Sequence, residues 1–345
     1  VLIFFRTQIM IIWIASYPKS GNTWLRALIS SYYFSQKGFF DQSHLKFIDQ
    51  FPSEKYFENF IYNKEVPGEV AKYWIEAQKK IKFEKKLKFF KTHSFLGEFN
   101  NYNFTNKTNT LGAIYIVRDP RNVITSLKNH YEFNYKDALD FIKSDRKFLY
   151  DNRKKNNYSD FQLISSWKEN YLTWKNNKTF PIKFIKYEDL DNQTFVVFRS
   201  VVDFIDKLTM NNNSFDREKA INSINSTTFD KLKNIEKENG FAESVLSNNN
   251  KKIPFFNLGP ENNWKKILNK DISFRDRTLL NNLKNENKVI INKKVKTDEI
   301  NNNNQKVKKN KSKNIDVIEI ENIYDEYAYL KMKNEVKMYL LEECK

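Results

Sequence analysis

Cysteine and glycine are scarce in this sequence. Among its 345 residues there are one cysteine, Cys344, and seven glycines. A single cysteine beside the last residue excludes an internal disulfide framework, a cysteine zinc site and a thiol nucleophile within the fold. Since ordinary glycine usage is about 7%, each glycine marks a position where backbone freedom or close approach matters more than usual.

Long hydrophobic runs are also missing. The apolar stretch at residues 1–15 is interrupted by polar residues at positions 6–8 and falls short of the roughly 20 apolar residues that a membrane-spanning helix needs. Its second half, residues 10–15, predicts a buried β-strand instead. We interpret residues 1–9 as an upstream extension with Met10 as the natural start, and we expect a cytoplasmic protein without a transmembrane segment.

Acidic residues are outnumbered, with 42 Asp and Glu against 59 Lys and Arg, which gives a formal net charge of +17. This charge favours an anionic partner, but by itself it does not separate nucleic acid, a membrane surface or a phosphorylated small molecule. Residues 284–313 alone hold ten lysines against three acidic residues. The segment has no apolar periodicity and includes a run of four asparagines.

The composition therefore predicts one domain with an interruption. We expect residues 10–282 to form the domain, residues 283–314 to be a low-complexity Asn/Lys-rich insertion, and residues 315–345 to supply a C-terminal helix of the same domain. The last assignment rests on the amphipathic pattern that resumes at residues 318–341. A basic arm for nucleic acid or acidic membranes is the alternative reading of the insertion.

Four short apolar runs each end in a polar cluster and alternate with longer stretches of helical spacing. The runs are residues 11–15, 87–90, 112–117 and 182–186, and the helical stretches are residues 123–131, 135–150, 161–176 and 195–208. Strands alternating with helices predict an α/β fold, a single domain with a central parallel β-sheet flanked by helices on both faces. In such a sheet, ligands bind beyond the carboxyl ends of the strands, where the polar clusters lie.

The first cluster has the composition of a phosphate cradle. It reads Tyr17-Pro18-Lys19-Ser20-Gly21-Asn22-Thr23-Trp24 and opens a helix. The free N–H groups and the dipole of a helix start favour an anion, Gly21 permits close approach, and Lys19 adds a positive charge. The alternative is an ordinary connection capped by Ser20 or Asn22, with Lys19 in solvent. The Walker A pattern is absent because the lysine precedes the glycine, so a standard ATPase or GTPase loop is disfavoured.

The cluster after residues 112–117 predicts a second anion site. Asp119 is placed to cap a helix that begins at Pro120, and Arg118 stands at the strand end. Ser126 follows about two helical turns later. An ion pair between Arg118 and a surface carboxylate is the alternative reading. Two anion sites on neighbouring strand ends suit a ligand with two separated phosphate groups.

These residues resemble the motifs of the sulfotransferases that use 3′-phosphoadenosine-5′-phosphosulfate (PAPS). Residues 17–24 look like the family's Y-P-K-S-G-T-T-W loop, and residues 118–122 with Ser126 resemble its R-D-P-R-N motif followed by a serine. Shorter segments resemble the family in the same order, namely K-T-H at 91–93, Y-E-D-L at 187–190, T-S-F at 227–229 and F-x-R-K-G-x-x-G-D-W-K at 255–265.

The resemblance implies a P-loop-like three-layer fold that binds PAPS as the sulfuryl donor. Lys19 would contact the 5′-phosphosulfate, and Arg118 would hold the 3′-phosphate together with Ser126. The other residues carried over as cofactor-binding are Ser20, Gly21, Asn22, Thr23, Trp24, Tyr187, Phe229 and Gly259, of which Tyr187 and Phe229 would lie beside the adenine.

The resemblance also assigns the chemistry. His93 would be the general base that takes a proton from the acceptor hydroxyl or amine, and such proton removal contributes about 10²–10⁴-fold. Lys19 and Lys91 would stabilise the charge that develops on the leaving phosphate and the sulfuryl oxygens during in-line transfer. No metal is expected, because the sequence has no His, Cys and carboxylate cluster with metal-ligand spacing.

The segment around Gly259 departs from the family pattern, since Asn257 and Leu258 stand where the family has Arg-Lys and residues 260–263 lack the family's second glycine and aspartate. A homologue that binds the cofactor but has weakened catalysis is therefore an alternative, and a nucleotide-dependent small-molecule kinase is another. A nucleic-acid-binding protein would fit the net charge, but no recognition motif appears. We expect a small-molecule or glycan acceptor and no specific nucleic acid, with carbohydrate, lipid, phenol and amine acceptors all open.

Overall fold

A computed structural model of the chain describes residues 10–81, 87–151, 153–246 and 252–271. The described strands are β1 (Met10–Ser16), β2 (Ile48–Gln50), β3 (Leu87–Thr92), β4 (Glu98–Phe99), β5 (Tyr102–Asn103), β6 (Thr110–Val117), β7 (Phe148–Leu149), β8 (Gln162–Leu163), β9 (Ile182–Lys186), β10 (Val245–Leu246) and β11 (Lys252–Ile253). The described α-helices are α1 (Asn22–Phe34), α2 (Trp74–Lys80), α3 (Pro120–Tyr131), α4 (Tyr135–Lys143), α5 (Trp167–Lys175), α6 (Tyr187–Asn192), α7 (Thr194–Thr209), α8 (Arg217–Ser226), α9 (Phe229–Asn239) and α10 (Trp264–Asp271).

Within these residues, the main sheet has five strands in the order β2-β3-β1-β6-β9, and each neighbouring pair is parallel. Strand β1 lies in the middle, where Trp13 stands opposite Phe90 of β3 on one side and Ala113 of β6 on the other. The predicted α/β fold with a central parallel sheet is confirmed. The carboxyl ends of β1, β3, β6 and β9 consequently lie at one edge, where their polar clusters can meet.

Alternate residues of β1 enter two separate apolar cores. Ile12 and Ile14 pack into the core that α1 and α7 cover, whereas Ile11, Trp13 and Ala15 pack into the core on the opposite face of the sheet. Successive side chains of a strand point to opposite faces, so a run that is apolar at every position is buried on both sides. The three-layer arrangement follows from this pattern.

Two helices are shorter than their sequence pattern predicts. Helix α4 ends at Lys143 and α5 begins at Trp167, whereas helical spacing extended over residues 135–150 and 161–176. Strands β7 and β8 pair as a short antiparallel ribbon in between. Ser165 adopts a left-handed backbone with φ 58°, and the side chain of Ser166 accepts a hydrogen bond from the N–H of Glu169. A left-handed residue followed by a capping serine ends the intervening segment and starts α5 there.

Several predictions fall outside the described residues, namely the extension at 1–9, the insertion at 283–314, the C-terminal helix at 315–345 and Cys344. The described residues from Lys265 onward belong to a unit separate from the one that ends at Trp264, and the site lies in the unit that ends at Trp264. In the described part of the chain, no helix is both long enough and apolar enough to cross a membrane.

Candidate active site

The loop after β1 opens α1 without a side-chain cap. Gly21 is the N-cap residue with φ 98°, and within the described residues no side chain hydrogen-bonds as a cap there. Asn22 instead turns back, and its Nδ2 donates to the carbonyl of Ile14 at 2.9 Å and to Oγ of Ser16 at 3.2 Å. The capping by Ser20 or Asn22 that the sequence left open is therefore not what the structure shows. The start of α1 keeps N–H groups for an anion.

Position 21 requires glycine both because its backbone has a positive φ and because no room is left for a side chain. A Cβ atom added to Gly21 would lie 2.5 Å from Cδ2 of Tyr187, a separation that atoms of two side chains do not reach without displacement. Tyr187 begins α6 at the end of β9. The loop after β1 thus packs directly against the cluster that follows β9, which brings two of the predicted motifs together.

We expect Gly21→Ala to lower the free energy of unfolding by more than Gly240→Ala does. Gly240 also has a positive φ of 72°, but the nearest atom to its added Cβ is 3.5 Å away, so this control carries the backbone strain alone, about 1–3 kcal/mol. Overlap with Tyr187 should add about 1–3 kcal/mol in the Gly21 variant. Urea unfolding measures both, and equal losses in the two variants would contradict the steric argument.

Lys19 is a buried cation that faces an aromatic ring. Its Nζ lies 4.0 Å from the centre of the Phe255 ring. Burial lowers the pKa of Lys19 to about 7, Glu243 raises it, and the positive charges of Arg118 and Lys91 lower it further. Glu236 on α9 fixes the segment above Lys19, since its carboxylate accepts from the N–H of Phe255 at 2.7 Å. A bound anion would restore the charge of Lys19.

Arg118 connects the first anion site to the second. Its side chain is buried, with 7% of the residue exposed, and Nη1 donates to the carbonyl of Lys19 at 3.2 Å while Nη2 donates to the carbonyl of Gly259 at 3.4 Å. The guanidinium carbon lies 4.0 Å from the centre of the Tyr187 ring. Among the described residues Arg118 makes no ion pair, so the alternative of a surface carboxylate partner is not what the structure shows.

The helix after Arg118 is capped as the sequence predicts. Asp119 precedes α3, and its carboxylate accepts from the N–H of Arg121 at 2.9 Å, with Pro120 at the first helical position. This confirms the predicted helix start. Ser126 lies on the same helix, is half-buried and lines the cavity described below.

The loop around Gly259 is held against α3 although it lacks the family's second glycine and aspartate. Asn262 is buried, its Nδ2 donates to the carbonyl of Asn122 at 2.8 Å, and its Oδ1 accepts from the hydroxyl of Thr125 at 2.6 Å. Gly259 has φ 51°, and an added Cβ would lie 2.4 Å from the ring of Phe229. Asparagine contacts thus place Gly259 between Arg118 and Phe229 without the Arg-Lys pair.

His93 follows β3 and has one ring nitrogen committed. Its Nδ1 lies 2.9 Å from the carbonyl oxygen of Ser16. Because a carbonyl only accepts, Nδ1 carries the proton and Nε2 presents its lone pair. The backbone N–H of His93 donates to Oε1 of Gln162 at 2.9 Å, and its carbonyl accepts from Nδ2 of Asn170 at 2.9 Å. Burial lowers the pKa of His93 to about 3, and the charge of Lys91 lowers it further, so the imidazole is neutral.

Glu243 is a site residue that the sequence motifs did not indicate. It lies between α9 and β10, and its Oε1 accepts from Nζ of Lys91 at 2.8 Å and from Nη1 of Arg26. Its Oε2 accepts from the hydroxyl of Thr23 at 2.9 Å. Burial raises the pKa of the Glu243 carboxyl, but Lys91 and Arg26 outweigh burial and hold it well below its usual range. Lys91 is therefore paired with a carboxylate in this structure.

One cavity of about 1790 Å³ collects the predicted residues. All of them except Ser20 line it, namely Lys19, Gly21, Asn22, Thr23, Trp24, Lys91, His93, Arg118, Ser126, Tyr187, Phe229 and Gly259. Ser20 is fully buried within the loop, and its Oγ has no hydrogen-bond partner among the described residues. His130 also lines the cavity and was missed, although it lies four residues after Ser126 and thus on the same helix face. Among the described residues, no group of three or more His, Cys, Asp or Glu could hold a metal ion.

Residues 11–284 match the sulfotransferase domain family. Mouse sulfotransferase SULT7A1, complexed with PAP, is 18% identical, with 80% of this chain and 82% of that chain covered and a TM-score of 0.44. Retinol dehydratase in a complex with retinol and PAP is 16% identical, with 80% and 81% covered and a TM-score of 0.44. The sulfotransferase domain from the curacin biosynthetic pathway is 17% identical, with 61% and 76% covered and a TM-score of 0.31. No curated protein matches the sequence significantly.

The family match covers most of the chain and includes every residue of the cavity wall and, apart from Met10 at the start of β1, every strand of the main sheet. The loop after β1, the arginine after β6 and the histidine after β3 therefore meet within one matched domain. The chain belongs to the sulfotransferase domain family, and it is a sulfotransferase enzyme.

Proposed function

We propose that this enzyme moves the sulfuryl group of PAPS to a hydroxyl or amine of a small-molecule or glycan acceptor. One observation carries the proposal. The two candidate anion-binding sites, one at Lys19 and one at Arg118, are in direct contact, because Nη1 of Arg118 donates to the carbonyl of Lys19. The rings of Trp24, Tyr187 and Phe229 line the same cavity. Two anion-binding sites beside aromatic rings suit a nucleotide that carries phosphate groups at both the 3′ and the 5′ position of its ribose.

Unpartnered polar atoms support a polar ligand at this place. Among the described residues of the cavity wall, Nε1 of Trp24 and Nε of Arg118 are N–H donors buried without a hydrogen-bond partner. Leaving such a group unpaired costs about 1–3 kcal/mol. A ligand rich in oxygens that reorganises this wall would recover part of that cost. The residues present therefore fit PAPS.

The chain's own residues have distinct roles in the proposed reaction. When bound, PAPS supplies the activated sulfuryl group. Nε2 of His93 accepts the proton of the acceptor, because Nδ1 is held by the Ser16 carbonyl. Lys19 holds positive charge at the phosphate cradle, where charge develops as the bond to the leaving phosphate breaks. Arg118 and Ser126 hold the 3′-phosphate and so fix the nucleotide in the cavity.

The cavity has room for an acceptor beside the nucleotide. Its volume of about 1790 Å³ exceeds the roughly 300–1,000 Å³ of a site for one small ligand. Beyond His130 the wall is formed by Phe133, Phe141 and Phe148, with Nζ of Lys147 4.4 Å from the centre of the Phe141 ring. This aromatic wall fits an acceptor with an apolar or sugar-ring face.

The direct test is transfer of ³⁵S from labelled PAPS to a panel of phenol, amine, lipid and carbohydrate acceptors. We expect transfer to at least one class, and calorimetric binding of adenosine 3′,5′-bisphosphate (PAP). PAP binding without transfer to any class would instead support the weakened homologue. The pairing of Lys91 with Glu243, together with Asn257 and Leu258 in place of Arg-Lys, favours that second candidate. Absence of both binding and transfer would overturn the proposal.

We expect PAP binding to take up protons above neutral pH. Because burial lowers the pKa of Lys19 to about 7, the free site loses this proton as the pH rises through 7, and a bound phosphate restores it. Affinity should therefore fall between pH 7 and pH 9. Calorimetry at pH 8 in buffers of different ionisation enthalpy measures the uptake. Lys19→Arg is the control. Its guanidinium stays charged in the free protein, so PAP binding should take up no proton and the binding enthalpy should not depend on the buffer. Equal proton uptake in both proteins would contradict the assignment of the uptake to Lys19.

The domain boundary at 282 stays a prediction, supported by the end of the family match at residue 284. A cytoplasmic location likewise stays a prediction.

A further inference from the structure

His130 is a second histidine of the cavity wall, and the proposed roles above leave it unused. It lies in the last turn of α3, four residues after Ser126, and only 7% of the residue is exposed. The third histidine, His44, lies in a short 3₁₀ helix, Gln42–Phe47, and does not line the cavity. A buried histidine beside a cationic ligand site needs a physical explanation.

The ring nitrogens of His130 have no partner among the described residues. Nδ1 is buried without a hydrogen bond, and the ring packs against Tyr131 at 4.7 Å and Phe255 at 5.7 Å between ring centres. A neutral imidazole has one N–H and one lone pair. Because an orphaned buried N–H is rarer than an orphaned acceptor, the proton belongs on Nε2 and the bare lone pair on Nδ1.

The charges around His130 keep it neutral. Burial lowers its pKa to about 3, and the ammonium groups of Lys19 and Lys91 lower it further, while Glu243 opposes them. A group with this pKa carries no charge and takes up no proton at neutral pH. It can still donate one hydrogen bond through Nε2–H. Phe255 contacts both His130 and Lys19, since its ring centre lies 5.7 Å from that of His130 and 4.0 Å from Nζ of Lys19. The His130 donor therefore lies beside the phosphate cradle, where developing negative charge is expected.

The two histidines of the cavity thus have opposite tautomers. His93 has its proton on Nδ1, facing Ser16, and offers a lone pair at Nε2. His130 has its proton on Nε2. One is suited to accept a proton and the other to donate a hydrogen bond without transferring its proton.

We propose that His130 binds an oxygen of the sulfuryl group of the bound donor through its Nε2–H. This inference rests on the proposed function. In the transfer, the acceptor oxygen or nitrogen forms a bond to sulfur, the bond from sulfur to the leaving phosphate oxygen breaks with its electron pair, and the acceptor proton goes to Nε2 of His93. His130 exchanges no proton and stabilises charge on the sulfuryl oxygens.

The tautomer can be measured without turnover. In protein labelled with ¹⁵N-histidine, NMR should show His130 as the neutral Nε2–H form from pH 5 to pH 8, with the signal assigned by its loss in His130→Gln. An Nδ1–H tautomer, or titration near pH 6.5, would overturn the inference.

Kinetics separate a sulfuryl contact from a phosphate contact. His130→Leu should lower kcat about 10²-fold, as loss of one oxyanion donor does, while PAP, which has no sulfuryl group, binds with unchanged affinity. His130→Gln keeps an N–H donor and should recover part of the rate, and His44→Gln should match the wild type. Thermal unfolding checks that each variant is folded.

An unchanged kcat in His130→Leu would overturn this inference, and so would a loss of PAP affinity as large as the loss of kcat. Neither result would affect the proposed function. A wild-type chain that neither binds PAP nor transfers sulfate would overturn the proposed function first, and this inference with it.

Discussion

His93→Ala is expected to lower kcat for sulfuryl transfer by about 10²–10⁴-fold, the usual contribution of a positioned general base. His93 is held at three points, with its ring Nδ1 bonded to the carbonyl of Ser16, its backbone N–H to Gln162 and its backbone carbonyl to Asn170. Alanine keeps the two backbone contacts and removes the base. PAP affinity should change little, because the two proposed phosphate sites follow β1 and β6, and His93 follows β3. Steady-state ³⁵S transfer and calorimetry measure the two quantities.

The pH profile offers a separate check on the same residue. Burial lowers the pKa of His93 to about 3, below the usual value near 6.5. The free base is therefore available throughout the neutral range, and the rate should show no acid limb with an apparent pKa near 6.5. The unfolded chain takes up this proton below pH 6.5 and the folded chain does not, so stability should fall as the pH drops from 6.5 toward 3.

The matched control for His93 is His44→Gln, which changes a histidine outside the cavity. It should leave kcat unchanged. Unchanged turnover in His93→Ala, with acceptor and PAPS saturating, would remove His93 from the role of general base.

Arg118→Ala is expected to weaken PAP binding by about 10²-fold or more, because each hydrogen bond to a charged group contributes about 1.5–3 kcal/mol. Arg118 is buried and positioned by the carbonyls of Lys19 and Gly259 and the ring of Tyr187. A planar guanidinium makes these contacts simultaneously, whereas an ammonium does not. Arg118→Lys should therefore recover only part of the affinity.

Arg199→Ala is the control for charge alone. Arg199 is half-exposed, pairs loosely with Asp203 at 3.8 Å and does not line the cavity. PAP affinity in this variant should equal that of the wild type. Near-wild-type affinity in Arg118→Ala, measured by calorimetry on folded protein, would contradict a 3′-phosphate site at Arg118.

Local sequence carries much of the fold and part of the site. Strands β1 and β6 follow from nearly continuous apolar runs, since a strand buried on both faces has few polar positions, whereas β3 and β9 follow from shorter apolar runs interrupted by lysines. The loop after β1 and the cap at Asp119 are equally local, because glycine and proline act through their own backbone and the aspartate side chain bonds an N–H only two residues away. His130 could have been found in the same way, from its spacing to Ser126 on one helix.

Glu243 could not have been predicted from local sequence. Its partner Arg26 lies 217 residues earlier in the chain, and no spacing rule connects a loop carboxylate with a helix arginine. The same limit applies to Asn262, whose side chain donates to the carbonyl of Asn122, 140 positions earlier in the chain. The predicted helix over residues 161–176 was wrong at its start for another reason, since the left-handed backbone of Ser165 prevents the helix from beginning before that residue.

The central place of β1 has a consequence for how the site opens. Ile12, Trp13, Ile14 and Ala15 are fully buried between two neighbouring strands, so their amides should exchange with deuterated water only when the whole domain unfolds. The part of the cavity wall that contains Phe255 and Phe256 is held by fewer bonds. Strands β10 and β11 pair over two residues each, and the carboxylate of Glu236 accepts from the N–H groups of Phe255 and Phe256. These amides should exchange through local opening, which would let a spent nucleotide leave while the cradle stays folded.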